Sequence, residues 1–211
     1  ARRGNLDLFF TDEPTVRSLL VRGSQGCDIS VIEGVMGFYD GMSTTSTQGS
    51  SYHLARATKT PVILVLDAKG AALSLAASIK GMCTFVDDAN ICGVILNRCS
   101  QTVFNDLADI VQRECGVPLL GYVPTDARFG IESRHLGLVP ASEIDDLKQR
   151  IDLLAETLES TVDIDALIEL ATGAPEVDAE PYDVSCHAQH PIRLAIAQDQ
   201  SFCFYYAENL R

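Results

Sequence analysis

Tryptophan is absent from this chain, methionine occurs three times, and basic residues are few. Sixteen Lys and Arg stand against twenty-nine Asp and Glu, a formal net charge of −13. A field of that sign repels nucleic acid and anionic membranes, so neither is expected as a partner. Apolar runs fall far short of the ~20 residues that span a bilayer. No apolar stretch of signal-peptide length follows Ala1-Arg2-Arg3-Gly4. Cys27, Cys83, Cys92, Cys99, Cys115, Cys186 and Cys203 contain no CxxC pair, which argues against a zinc or redox framework. Cys92, in a predicted buried strand, and Cys83 and Cys115, on or beside predicted helices, read as small hydrophobes in a reducing cytoplasm. Cys186, His187 and His190 do cluster, but a structural zinc site takes four ligands and no second ligand pair lies nearby. A Gly-rich loop carrying a Lys, the phosphate cradle of many α/β ATPases, is missing too. Lys59, Lys69, Lys80 and Lys148 all stand in other contexts.

What is present is an alternation of helical and strand patterns. Glu13 to Gly23 carries Val16, Leu19 and Leu20 at helical spacing, with Gly26 as the stop. Residues 28–33 read as a short buried strand, followed by a glycine loop and a short helix through Leu54 and Ala57. Residues 61–67 form a continuous apolar strand, as in parallel sheets covered on both faces. A helix over Leu73 to Val86, a strand over 91–97, a helix over Phe104 to Glu114 and a strand over 118–123 follow. This βαβ order predicts a doubly wound α/β domain. Beyond Pro140, Ser142 reads as the N-cap of a helix reaching about Glu159, and Asp163 as the cap of a second, which Gly173 and Pro175 end. Residues 173–191, rich in proline and acid, read as an exposed linker, and Ile192 to Ala197 opens a new strand.

The chemistry concentrates in Glu33-Gly34-Val35-Met36-Gly37-Phe38-Tyr39-Asp40-Gly41-Met42. A carboxylate at the carboxyl end of a strand, with glycines next, sits where open α/β sheets bind ligands. Glu33 is thus a candidate to hold Mg²⁺ or a water bound to it. Asp40 places a second carboxylate over the same crevice. Gly34, Gly37 and Gly41 permit close approach of backbone to a phosphate or a bulky substrate. By spacing alone the stretch reads equally as a turn with two solvated acids. Asp67 and Lys69 follow the second strand, where Lys69 could neutralise a phosphate or pair with Asp67. Asn97 ends the third strand, and its amide can donate to and accept from a planar heterocycle or close its own turn. Ser50 and Ser51 read first as helix caps. Arg134 and His135 could meet an anion or simply be solvated.

The segment Val31-Ile32-Glu33-Gly34-Val35-Met36-Gly37-Phe38-Tyr39-Asp40-Gly41 closely resembles one found in cobyrinic acid a,c-diamide synthases. These are ATP- and glutamine-dependent amidotransferases of corrinoid biosynthesis. The resemblance continues, in family order, through Pro61-Val62-Ile63-Leu64-Val65-Leu66-Asp67-Ala68, Gly93-Val94-Ile95-Leu96-Asn97-Arg98 and Leu120-Gly121-Tyr122-Val123-Pro124. It then takes in Arg134-His135-Leu136-Gly137-Leu138-Val139-Pro140 and Phe202-Cys203-Phe204-Tyr205-Tyr206-Ala207-Glu208-Asn209-Leu210. One departure is Thr125 before Asp126, where family members often carry an Arg after the proline.

The resemblance implies an α/β fold with a mainly parallel sheet of the P-loop-NTPase, dethiobiotin-synthetase-like type and a helical extension. Residues 1–172 would be an ATP-dependent amidoligase domain without its N-terminal phosphate loop, 173–191 a linker, and 192–211 the start of a class I glutamine amidotransferase domain. On this reading the chain is an internal fragment, inactive by itself, and Cys203 is not the glutaminase nucleophile. The implied reaction is amidation of the a and c carboxylates of cobyrinate with glutamine or ammonia, using ATP and Mg²⁺. Glu33 would be catalytic and hold the metal, Asp40 would be catalytic near the acceptor, and Asn97 would recognise adenine. Cobyrinate or a related tetrapyrrole is the implied partner, and a homodimer is admitted. Sister enzymes, the nickel-sirohydrochlorin diamide synthase and cobyric acid synthase, share most of these motifs. A non-catalytic nucleotide- or partner-binding module is the alternative from another class.

Overall fold

The computed structural model describes residues 4–130, 133, 134, 137, 138, 146–180, 193–199, 202, 205, 206 and 210. It divides into two compact units, Ala1–Lys59 with Pro175–Arg211, and Thr60–Ala174.

The first unit holds helices α1 (Glu13–Ser24) and α2 (Ser51–Thr58). Asp12 starts α1, its carboxylate accepting the Thr15 amide at 3.0 Å, and Pro14 sits in the first turn where no amide partner is needed. Val16 is fully buried and ties the helix down. Ser50 caps α2 by accepting the His53 amide at 3.1 Å, so its expected role as a cap holds. Lys59, at φ 55°, ends the helix in a left-handed turn.

The expected strand at 28–33 does not form. These residues make no ladder, Val31 is 91% exposed and Ile29 is 41% exposed. An apolar run becomes a strand only where a neighbour completes its backbone hydrogen bonds, and residues 28–33 pair with no other segment among the described residues. The strand expected from Ile192 to Ala197 fails likewise: residues 193–198 carry no ladder, and Leu194 is 85% exposed. The placement of Glu33 at a strand end is therefore withdrawn.

The second unit is the α/β core. Strands β1 (Val62–Asp67), β2 (Ile91–Asn97) and β3 (Leu119–Val123) form a parallel sheet in the order β1-β2-β3. Helix α3 (Leu73–Thr84) joins the first two strands and α4 (Gln101–Cys115) the last two. Both crossovers run the same way across the sheet, so right-handed connections put α3 and α4 on one face. There Val94, Leu96, Ile79 and Val111 are fully excluded from water. Each such side chain contributes about 1.5–3 kcal/mol of transfer free energy.

Helix α5 (Leu147–Thr161) follows, then α6 (Ile164–Thr172). The end of α5 lies against Gly121, where a Cβ would come within 2.8 Å of a Val162 methyl group. Gly121 pairs with Ile95, so this contact is on the face opposite α3 and α4. Among the described residues of this unit that second face is covered at β3, while Val65 on β1 is 62% exposed. Gly93 leaves room for the Leu120 side chain, which is otherwise buried. Asp163 caps α6 through the Ala166 amide at 2.9 Å. Asp146 occupies the cap position of α5 without a capping bond, its carboxylate accepting instead from Arg150 Nε at 2.8 Å, and the expected cap Ser142 lies outside the described residues. Ser133–Arg134 and Gly137–Leu138 form a short antiparallel ladder, β4 and β5.

Candidate active site

The loop between α1 and α2 is built on itself. Asp40 N–H donates to Gly37 O at 2.9 Å, a tight turn that folds the Asp40 carboxylate back over Gly37. A Cβ on Gly37 would lie 2.9 Å from Asp40 Cγ, so the turn needs glycine there. Met42 N–H donates to Gln48 O at 2.8 Å, which closes the loop onto the turn before α2. Gly41 is wedged between those two segments, under 3.0 Å from Ser46 O, Gln48 O and Thr47 C if it bore a Cβ. Gly34 sits against Ser51, the first residue of α2. Tyr52 N–H donates to Phe38 O at 2.9 Å, and the rings of Phe38, Tyr39 and Tyr52 pack with centroids 4.7, 5.4 and 6.0 Å apart. The glycine loop is therefore moulded around the N-terminal turn of α2.

On this loop Glu33 is exposed and has no hydrogen-bond or ion-pair partner among the described residues. Asp40 is exposed as well. No group of three or more His, Cys, Asp or Glu side chains is arranged to hold a metal ion among the described residues. Glu33 and Asp40 each offer carboxylate oxygens, the donor type that a hard cation such as Mg²⁺ takes in ones or twos beside waters and substrate phosphates.

The second candidate locus is the carboxyl edge of the sheet in the other unit. Asp67 and Asn97 are neighbours in register there, and Asn97 is paired with Val123. Arg98, at φ 54°, turns its guanidinium onto Asp67, with Nε donating to Oδ1 at 2.8 Å and Nη2 to Oδ2. Lys69 contributes its backbone N–H to Asp67 Oδ1 at 3.1 Å. Arg98 first, then the Lys69 amide, holds the Asp67 carboxyl below its ordinary value. Asp67 is thus engaged by Arg98, a residue to which the sequence alone assigned no role. The signal available was a cation directly after the strand-ending Asn97.

Asn97 is exposed and its Oδ1 accepts the Arg98 amide at 3.0 Å. The turn thus uses the acceptor, and the two Nδ2 hydrogens face no partner among the described residues. The Phe104 and Tyr122 rings pack 5.3 Å apart beside this edge's strands. Asp126, which follows Thr125, accepts from Arg128 Nε at 3.0 Å and caps the turn Ala127–Phe129. Of Arg134 only the backbone is described. His135, Cys186, His187 and His190 lie outside the described residues. Burial pushes the Cys83, Cys99 and Cys115 thiols up, so none is a poised thiolate.

Against known proteins the chain aligns over nearly its full length. It is 38% identical over 208 residues to a cobyrinate a,c-diamide synthase of Listeria innocua, covering 98% of this chain and 46% of that protein. It is 39% identical over 206 residues to the enzyme of the same name from Gloeobacter violaceus, covering 98% of this chain and 45% of that protein. A Thermoplasma acidophilum protein, also named cobyrinate a,c-diamide synthase, is 38% identical over 208 residues. This chain resembles the cobyrinate a,c-diamide synthase family from end to end. It spans about half the length of the curated relatives it matches. No family model and no solved structure matches it. The likeness covers both the glycine loop and the sheet edge, and the parallel α/β unit agrees with the fold it implied. No helix among the described residues is long and apolar enough to cross a membrane.

Proposed function

We propose that the protein to which this chain belongs amidates the a and c carboxylates of cobyrinate, using ATP and ammonia drawn from glutamine. The single observation that carries the reading is the ordered likeness to cobyrinate a,c-diamide synthases over 98% of the chain. Glu33, exposed and without a partner among the described residues, on a loop moulded around α2, gives that likeness a chemical focus.

ATP and Mg²⁺, when bound, would supply the phosphoryl group that activates the acceptor carboxylate and the charge that neutralises it. Glu33 holds the cation as an oxygen ligand. Asp40, fixed by its turn with Gly37, orients ammonia or takes its proton as the amide forms. Asn97 offers its Nδ2 hydrogens to a ring acceptor of the base, its Oδ1 being committed to the Arg98 amide. Most of the rate enhancement comes from positioning and charge neutralisation, since the chemistry asks little covalent work of the protein.

The test expresses the full-length protein and titrates Mg²⁺, ATP and cobyrinate for Glu33→Gln and Asp40→Asn. Glu33→Gln keeps the shape and removes the charge a hard cation requires, and a loss of about a hundredfold or more is expected. Asp40→Asn slows amidation while ATP affinity holds. Near wild-type amidation by Glu33→Gln at low Mg²⁺ refutes the assignment.

A further inference from the structure

We propose that His53 is a positioning residue, a neutral imidazole that locks the turn at Gly49, and through it the 33–42 loop, to helix α1. The proposal rests on the reading that this loop carries the amidation chemistry.

The protonation state follows from the bonds. The Gly49 backbone N–H lies 3.0 Å from His53 Nδ1, and an amide can only donate, so Nδ1 is a bare acceptor. A ring with Nδ1 bare carries its proton on Nε2, which faces Glu13 Oε1 at 3.1 Å. Glu13 turns its other oxygen to Arg17 Nη1 at 3.2 Å, and that nitrogen also donates to Ala57 O at 3.0 Å. A relay therefore runs from the end of α2 through Arg17 and Glu13 on α1 to the imidazole and on to Gly49. The ring itself is 14% exposed. Glu13 and Arg17 are the charged groups facing it from α1, while Arg56 on its own helix is turned over the Tyr52 ring at 5.7 Å.

Beyond Gly49 the lock reaches the candidate catalytic loop in two short steps. Gly49 holds φ at 78°, and its neighbour Gln48 accepts Met42 N–H at 2.8 Å. Gly41, wedged against Gln48 O and Ser46 O, carries that constraint next to Asp40. The side chain is not required to start α2, because Ser50 already caps the helix. Its two ring bonds instead tie the turn just before its own helix to Glu13 on α1, 40 residues away.

The two ring nitrogens can be tested separately. In His53→Asn the amide oxygen takes the place of Nδ1 and keeps the bond to Gly49. In His53→Gln the amide nitrogen reaches toward Glu13 and abandons Gly49. The full-length protein, wild type and both variants with His53→Ala, is read by amide hydrogen exchange at Gly49, by ¹⁵N shifts of the wild-type ring, and by amidation kinetics. We expect the Nε2–H tautomer, Gly49 exchange faster by about fivefold or more in the Gln and Ala variants but not in Asn, and kcat falling in the same order at constant KM for ATP. The Asn and Gln variants carry the comparison by themselves if the Ala variant does not fold.

Equal Gly49 exchange in all variants, or a proton on Nδ1, overturns the proposal. So does unchanged kcat in every His53 variant when Glu33→Gln is crippled. If Glu33→Gln is also fully active while exchange follows the expected order, the lock stands and the functional reading of the loop fails.

Discussion

Gly41→Ala puts a single methyl group where the loop has no room for one. A Cβ there would lie 2.8 Å from Thr47 C and under 3.0 Å from the carbonyl oxygens of Ser46 and Gln48. All three are backbone atoms, so no rotamer change relieves the clash. The turn at 46–48 must move off by more than half an ångström, which stretches the Met42 N–H to Gln48 O bond now at 2.8 Å. Overpacking of this kind costs about 1–3 kcal/mol. The weakened hydrogen bond adds on the order of 1 kcal/mol. The sum, about 2–4 kcal/mol, is a large part of the 5–15 kcal/mol that holds a typical domain folded. Gly34→Ala is the matched control. Its Cβ would meet Ser51 Oγ at 2.7 Å, a side-chain atom that can swing away for about 0.5–1.5 kcal/mol. The assay is urea unfolding of the two variants beside the wild type, with the slopes compared to confirm that the unfolded state is unchanged. The reasoning is refuted if Gly41→Ala unfolds with the wild type, or if Gly34→Ala is the more damaging change.

Three further outcomes follow from the same geometry. Gly81 lies inside α3 with open space where a Cβ would go, so Gly81→Ala should stabilise by about 0.4–1 kcal/mol, read as a higher urea midpoint. The Glu13 carboxyl is held below the ordinary glutamate value of 4.5, by the His53 bond first and Arg17 next. A depressed carboxyl contributes its stability in full above that value and loses it as pH falls through the lower folded one, so acid should loosen the α1–α2 tie. The urea midpoint followed as pH is lowered through 4.5, in wild type and in Glu13→Gln, checks this, and the same pH dependence in both proteins would contradict it. Asp67→Asn removes an exposed, solvent-screened ion pair with Arg98, so thermal stability should barely change.

The α/β unit was legible because its signals are local and redundant. Val62–Asp67 and Ile91–Asn97 are continuous apolar runs, each is followed by a helix with its own punctuation, and each matches its expected bounds within a residue or so. Gly116 at φ 73° and Ser100 with its bond to the Val103 amide mark the ends of α4 as their residue types suggest. Residues 28–33 carry the same kind of apolar run, yet form no strand. Hydrophobicity states that a segment prefers burial, whereas a ladder requires a partner, and nothing inside Ile29-Ser30-Val31-Ile32 names one. The Arg98–Asp67 pair was missed for a related reason: residues 31 positions apart meet only through the parallel register of β1 and β2.

The candidate site divides along the same line, and the division changes what its glycines mean. In the sequence, Gly34, Gly37 and Gly41 suggested room for a phosphate or a bulky substrate. In the structure each one is accounted for from within the chain: Gly34 by Ser51, Gly37 by the Asp40 carboxylate, Gly41 by the 46–48 turn. Glycines used up by internal contacts are not evidence for a ligand, because any loop folded this tightly would need them. The functional case therefore shifts to what internal packing does not explain. Glu33 is an exposed carboxylate without a partner among the described residues, at the start of a loop whose shape is fixed from three sides. A solvated acid needs no such scaffold, since it can sit on any flexible turn. A carboxylate on a closely packed loop suits the cation role proposed for Glu33, because preorganisation lets a charge act without the cost of ordering it at the moment of reaction. His53 belongs to that argument. Its ring bonds hold the turn against which the loop is wedged, and the carboxylates it helps to place lie some distance off in sequence, which is why spacing alone could not reveal it.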